Sequence, residues 1–393
     1  MKKFLALALV ATLSLSLMTA CGKNGDGIGG TPEPTPTPKV WHQNPLTGEE
    51  QSFDYPYGQR PVGVMVNNIM SGDSYQSAWP QSGLSQADTL FEMETEGGIT
   101  RYLAIFRDYT KMPVVGPIRS ARDQFVQMMF PLSCLYVHDG GSTYAKDMLK
   151  TYEYEDRDLT PNKGVSFRDK TEYNNGLKAY EHTEFVSGQL ITKAVENEKN
   201  EINSQEEPAN MFDWVKYDEP KRVLDGVDAS TIEWRFSNSY ASKISYNAEN
   251  GKYTKDHINL NSRFSKPLID AGNGGIKVEF DNVFVLWTQI ERYPDGVLSN
   301  VDLRWGGVGY YFNGGKVEKV RWFKGLPHEP LRITSMDGTE TPIKVNTGKS
   351  YIAMVDVDYF GTYAIDGVLV DVAGDYKPVA ELPVDEGTEA KDE

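Results

Sequence analysis

The sequence predicts an α+β protein, with an N-terminal layered domain of mixed sheet and helix followed by a mainly antiparallel β domain, sandwich or barrel-like. Three observations carry this. Within residues 46–205, short β-type runs alternate with segments that carry helix-start signals. From about 210 onward, Trp, Tyr and Val/Ile runs are separated by turn signals (Asn250-Gly251, Pro294-Asp-Gly296, Asn313-Gly-Gly315 and Asp337-Gly338), and helical periodicity nearly vanishes. The composition, with 22 Tyr, 16 Phe and 7 Trp, supplies the apolar surface that two cores need.

The chain opens on MKKFLALALVATLSLSLMTAC. Lys2 and Lys3 form a positive n-region, and Phe4 to Leu17 has the length of a signal h-region rather than of a membrane span. Met18-Thr19-Ala20-Cys21 resembles the lipobox of bacterial lipoproteins, in which cleavage precedes a cysteine that becomes lipidated. Ala20 fits the small residue before the cut, while Met18 departs from the usual Leu. The expectation is a signal peptide over 1–20, with lipidated Cys21 and a tether over 21–45. The GKNGDGIGG part of the tether is a flexible coil, and TPEPTPTP favours extended polyproline II, at about 3.1 Å per residue. No later segment has 18 consecutive apolar residues.

In the first domain, Arg60 to Asn67 reads as a buried strand and Leu84 to Ala87 as a short helical turn. Thr89 to Glu94 alternates apolar and acidic residues, a period-2 strand that puts Glu92, Glu94 and Glu96 on one face. Gly97-Gly98 makes a turn into a returning strand, Thr100 to Phe106. A helix is expected from Ala121 to about Phe130, with Ser120 as its N-cap and Asp123 three residues on. Leu132 to His138 reads as a strand, and Asp139-Gly-Gly-Ser142 opens a helix over Thr143 to Thr151. A last helix over 185–199 fades into a polar linker. The β-rich domain then spans 206–380, and residues 381–393, with six acidic side chains and one Lys, form an acidic tail.

The formal charge is −16, and loss of the two leader lysines takes it to −18. Such a surface repels phosphate backbones, so nucleic acid is not an expected partner. The expected attachment to the membrane is through lipid, and the expected location is the extracytoplasmic face. If Cys21 carries lipid, Cys134 has no disulfide partner.

QSGLSQAD (81–88), ETEGGITR (94–101), GPIRSAR (116–122) and HDGGS (138–142) resemble, in order and spacing, the N-terminal domain of the YerB-like DUF3048 family of bacterial lipoproteins. SNSYASKISYNAENGKYTK, DNVFVL and GGKVEKVRWFKG resemble its C-terminal domain more loosely. The family often carries Pro-His-x-Asp where this chain has KDHIN (255–259), so no role passes to His257. The resemblance implies a two-domain surface lipoprotein and no transferable reaction.

Function must therefore come from the residues. Arg119 and Arg122 bracket a helix start, Arg101 opens a strand, and Gly140-Gly141-Ser142 opens a second helix beside His138. Helix N-termini and arginine forks both attract anions. The expected site is one polar pocket for an anionic group, built from Arg101, Arg119, Ser120, Arg122, His138, Gly140, Gly141 and Ser142, with Asp88, Glu94 and Glu96 in support. The competing expectation is internal pairing of the three arginines with Glu94, Glu96 and Asp88.

The Glu92/Glu94/Glu96 face could hold a cation or pair carboxylates, or stand as a solvated strand face. Cys134 and His138 lie about 13 Å apart on one strand face, too far for a thiol–base pair. Trp287, Trp305 and Trp322 offer sugar platforms or core. No HxH, HExxH, GxSxG, P-loop or GxGxxG occurs, so neither metal nor cofactor is expected. The preferred function is a non-enzymatic binding or scaffolding lipoprotein that recognises an anionic envelope glycan, peptide or protein. The alternative is an envelope hydrolase or transferase using Glu94 or Glu96 with His138.

Overall fold

Val62–Asn67 (β1), Thr89–Glu94 (β2), Thr100–Phe106 (β3) and Leu135–Val137 (β4) form in the first half of the chain. Runs such as VGVMVN and TRYLAIF are rich in β-branched and aromatic residues and are buried along their whole length. The computed structural model describes residues 43–51, 58–154, 158–159, 164–197 and 208–375. The leader, Cys21, the tether to residue 42, part of the linker and the acidic tail lie outside the described residues. No described helix is long and apolar enough to cross a membrane.

The second half contributes Thr231–Arg235 (β5), Tyr240–Asn247 (β6), Lys252–Asn259 (β7), Phe264–Pro267 (β8), Asn282–Thr288 (β9), Gly307–Asn313 (β10), Lys316–Phe323 (β11), Arg332–Thr334 (β12) and Ser350–Asp356 (β13). A central sheet runs in the order β12-β11-β10-β9-β13-β2-β3-β1-β4. Its strands come from both halves of the chain. Strand β13 lies between β9 and β2 and is parallel to both, with Ser350 opposite Asn282 on one side and Thr89 on the other. The parallel entry of β13 departs from the expected antiparallel pattern. By contrast, the second sheet, β8-β7-β6-β5 with a short C-terminal hairpin, is antiparallel at each of these pairings.

Period-2 alternation divides the central sheet into two apolar faces. Val64, Leu90, Tyr102, Val285 and Tyr351 point toward the second sheet, where they meet Ile232, Trp234 and Ile244. Met65, Phe91, Leu103, Phe284 and Ile352 point the other way, onto Asp123–Met129 (α1) and Thr143–Thr151 (α2). A third helix, Gly188–Asn197 (α3), packs Ile191 and Val195 into the first core. The result is helix, sheet and sheet in layers.

Two expected details change. Helix α1 begins at Asp123, and its cap position is Arg122 without a side-chain cap bond, so Ser120 is not the N-cap. Glu92 and Glu94 are 0% and 3% exposed, so β2 presents no solvated acidic face, because β2 is an interior strand covered on both sides. Helix α2 agrees with its expected span, and Ser142 caps it by accepting the Ala145 N–H at 3.1 Å.

Asp270 connects a loop of the second half to the first. Fully buried, it accepts the Gly83 and Ser85 N–H groups at 2.7 and 2.9 Å and the Ser85 hydroxyl at 2.6 Å. Gly83 needs its glycine, with φ at +84° and a Cβ that would fall 2.7 Å from the Val114 carbonyl. Truncation of Asp270 leaves buried amides without acceptors, at about 1–3 kcal/mol each. Asp270→Ala should therefore lower unfolding free energy by about 2 kcal/mol or more in a urea titration. Cys134 is buried, and that burial pushes its thiol up. It should resist maleimide in the native protein and react fully in denaturant, as read by mass spectrometry.

Candidate functional site

The fold brings together the two segments that the sequence marked. The Ala121 N–H donates to the Gly140 carbonyl at 2.9 Å, Ser142 N–H to the Ala121 carbonyl at 3.2 Å, and Asp139 N–H to the Arg119 carbonyl at 3.1 Å. Residues 119–122 and 139–142 therefore run side by side, and the glycines let their backbones approach. Gly140 has φ at +72°, and a Cβ on Gly141 would sit 3.3 Å from that of Ala121.

The charges around this loop pair are matched internally. Arg101 and Arg122 both hold Glu96. Arg101 donates to Oε1 at 2.6 Å, and Arg122 donates through Nε to Oε2 at 2.8 Å and through its terminal nitrogen to Oε1. Arg101 also donates to the Ser120 carbonyl at 2.7 Å, and Arg122 to the Ala121 carbonyl at 2.7 Å. Arg119 turns away from this cluster and pairs with Glu181. His138 lies between the Gly140 carbonyl, 2.6 Å from Nδ1, and Asp158, 3.0 Å from Nε2. A carbonyl can only accept, so Nδ1 carries a proton.

The partners differ from those expected. Glu96 serves Arg101 and Arg122, while Glu94 serves Arg292 at 2.7 Å. Asp88 sits apart, accepting from Asn44 at 3.0 Å and from the Arg107 N–H at 2.7 Å. Its carboxyl is raised by burial, against the Arg107 hydrogen bond. Burial would raise Glu96 as well, but the Arg122 hydrogen bond and the charges of Arg101 and Arg122 outweigh it and hold Glu96 at about 2. Arg101, buried and beside Arg122, is lowered to about 9.

Glu94 belongs to the expected set, but reasoning from sequence missed the two partners it meets at the carboxyl end of the parallel strands, Asp356 and Arg292. Glu94 closes β2, Asp356 closes β13, and Arg292 reaches in from the hairpin 290–301. Burial raises Glu94 to about 7, with Arg292 opposing and the Asp356 carboxylate adding to the rise. Burial likewise raises Asp356 to about 6. The neighbouring Tyr293 donates to Asp123 at 2.7 Å and stacks on Tyr144 at 3.6 Å between ring centroids. Arg292 lies 198 residues from Glu94, and no local signal joins them.

Trp287 and Trp322 are fully buried core, and Trp305 is half-buried. Among the described residues no group of three or more His, Cys, Asp or Glu is placed to hold a metal ion. An apolar groove of about 940 Å³, lined by Val227, Tyr310, Val317, Met336 and Val368, contains none of the expected site residues.

Comparison with known proteins finds similarity along most of the chain. Residues 46–201 match the description "Protein of unknown function (DUF3048) N-terminal domain", and residues 232–352 match its C-terminal domain. A Bacillus subtilis (strain 168) protein named "Putative lipoprotein YerB" is 30% identical over 268 residues, covering 67% of this chain and 73% of that protein. The crystal structure of the YerB protein from Bacillus subtilis matches with a TM-score of 0.61 at 25% identity, covering 80% of this chain and 96% of that one.

The Glu96 cluster gives a pH prediction. Its native carboxyl lies below the ordinary 4.5, so the unfolded state binds the extra proton between about 4.5 and 2. The stabilisation is present above that window and disappears as pH falls through it. At pH 7, Glu96→Gln should lose about 2 kcal/mol, because two arginines lose their carboxylate. The gap between variant and parent in denaturant titrations should close as pH approaches 2.

Proposed function

This chain belongs to the DUF3048 family, and from that premise we propose that it is a lipid-anchored, non-enzymatic binding or scaffolding protein of the cell envelope. Cys21 is its attachment point on the extracytoplasmic face of the membrane. The lipobox-like end of the leader supports this, as does the name of the Bacillus subtilis relative. One observation carries the binding reading over the catalytic one: the charged groups at the site are matched to one another. Arg101 and Arg122 hold Glu96, Arg119 holds Glu181, Arg292 holds Glu94, and His138 sits against Asp158.

An anionic ligand would enter by replacing one of these carboxylates. Arg119 offers the easier exchange. Its side chain is 25% exposed and that of Glu181 is 34% exposed, against 3% for Arg101. An anionic glycan, or an acidic peptide or protein, would take the place of Glu181, which Arg119 meets through one terminal nitrogen, and would gain the two-pronged hydrogen bonding that a guanidinium can give a carboxylate or phosphate. A lipid anchor on Cys21 keeps that encounter within reach of the membrane surface.

A second reading rests on Glu94. A carboxyl raised to about 7 beside another raised to about 6 is suited to general acid catalysis near neutrality. It would make the protein a hydrolase or transferase acting on cell-wall material. However, His138, the expected base, belongs to the separate Gly140–Asp158 cluster.

Incubation of the full-length chain in vesicles with purified anionic envelope polymers separates the two. The expected result is polymer retention without released product, and a loss of about tenfold in retention for Arg119→Gln at an unchanged melting temperature. Product that disappears in Glu94→Gln would establish the catalytic reading instead. Full retention by Arg119→Gln, together with a large fall in melting temperature, would make Arg119 a purely structural residue.

A further inference from the structure

Between the two sheets, outside the arginine cluster, three side chains form an arrangement with its own chemistry. Lys255 projects inward from β7, Glu92 from β2, and Asn68 follows the end of β1. All three are buried, Lys255 and Glu92 with fully enclosed side chains. The Lys255 ammonium lies 3.1 Å from Glu92 Oε2, and the Asn68 amide nitrogen donates to Glu92 Oε1 at 3.0 Å. A single carboxylate therefore touches both an amine and a carboxamide. Tyr102 also touches both: its hydroxyl accepts from Lys255 Nζ at 3.2 Å and hydrogen-bonds to Asn68. Tyr351 donates to Glu92 Oε2 at 2.5 Å, and Gln81 Nε2 donates to Asn68 Oδ1 at 3.1 Å.

We propose that this chain forms an intramolecular isopeptide bond between Lys255 Nζ and Asn68 Cγ, with Glu92 as the proton-transfer group. Every participant is present, and no oxidant, cofactor or metal is needed. Glu92 takes a proton from the Lys255 ammonium, which frees the nitrogen lone pair. The neutral amine attacks Asn68 Cγ, and the carbonyl oxygen, now carrying the negative charge, stays hydrogen-bonded to Gln81. The second proton on the attacking nitrogen passes by way of Glu92 to the amide nitrogen. The Cγ–Nδ2 bond then breaks, and ammonia leaves. The products are a secondary amide, ammonia and a protonated Glu92, which balances the original ammonium, carboxylate and carboxamide.

The surroundings favour each step. Burial lowers the Lys255 amine from its ordinary value, easing formation of the neutral nucleophile. Exclusion of water prevents hydrolysis of the amide in competition. Holding amine and carboxamide on one carboxylate replaces a bimolecular encounter by an intramolecular one. The products suit the site as well, because two buried charges disappear and a neutral carboxyl remains. The bond would join the end of β1 to β7 and so fasten one sheet to the other. In a chain whose only cysteine in the described residues is buried and unpaired, it supplies a covalent tie that no disulfide provides.

Peptide mapping of the purified full-length chain, digested after denaturation, tests this. The expected product is a peptide containing Asn68 joined to one containing Lys255, lighter by one ammonia than the two together and uncut by trypsin at Lys255. Asn68→Ala and Lys255→Met should abolish the joined species, and Asn68→Asp should give a joined species lighter by one water. Recovery of the two parent peptides wholly unlinked from the wild-type chain would overturn the proposal, whether or not any variant folds. A wild-type species lighter by one water, with the bond mapped to Glu92, would overturn it too. Linkage at the wild-type level in Glu92→Gln would overturn the role given to Glu92.

Discussion

The burial of one carboxylate constrains the rest of the structure. Glu92 stands in the middle of β2 on the face covered by the second sheet, and neither it nor Lys255 opposite has any exposed side-chain surface. An ion so placed costs several kcal/mol in lost hydration unless its lone pairs all find donors. Four donors reach it, and each comes from a different element: Lys255 from β7, Tyr351 from β13, Thr100 from β3 at 2.7 Å, and Asn68 from the segment after β1. The carboxylate thus fixes four elements relative to β2 at one point. A one-residue slip of β7 would turn Lys255 and His257 outward and bring Asp256 toward Glu92, placing like charges together in the core. The buried charge thus adds to the alternating burial of β7 in fixing one register.

The same polar layer explains how two stretches of chain share one sheet. Asn68 contacts His257 at 3.2 Å and Gln81 at 3.1 Å, and the Gln81 carbonyl accepts the Ala271 N–H beside Asp270. Asp270 in turn orders the loop at Gly83 and Ser85. A continuous set of buried hydrogen bonds thus accompanies the apolar contact between the sheets. Strand β13 extends that union along the backbone, pairing with β2 on one edge and β9 on the other. The family descriptions divide the sequence near 201–232, yet the central sheet crosses that division without interruption.

Much of the local architecture was legible because local physics sets it. Strands Thr89–Glu94 and Thr100–Phe106 and helix Thr143–Thr151 follow from period-2 alternation, glycine turns and a serine cap, each readable within ten residues. Segments 119–122 and 139–142 were marked too, since each precedes a helix start, and the fold lays the two side by side. What stayed hidden is what depends on contacts distant in sequence. Alternating acids on β2 suggest a wet face only while nothing covers them, and the cover, β7, comes some 160 residues later. The inward Lys255 was concealed in the same way, since a strand reading K-x-H-x-N looks like a solvated edge until a buried carboxylate is known to face it. Arg292 and Asp356 reach Glu94 only through the tertiary fold, and Glu181 is 62 residues from the arginine it holds.

Glu94 and Glu96 show how finely that tertiary context decides chemistry. Two residues apart, they experience burial that pushes both upward, yet one rises to about 7 and the other falls to about 2. Two arginines clasp Glu96, both with little exposure, whereas Glu94 pairs with Arg292, whose side chain is 42% exposed, and has a second carboxylate, Asp356, nearby. Desolvation acts alike on the pair, so the count of enclosed cations determines the sign. Glu96 is therefore a fixed negative charge that organises the arginine loops. Glu94 is a group held near the point of protonation, at the end of the strand whose centre carries Glu92. From Glu92 on β2 to Glu96 in the turn that follows it, the protein thus places a carboxylate paired with Lys255 in the core, one near titration and one locked by arginines. The exposure of their partners, rather than the acids themselves, distinguishes the three.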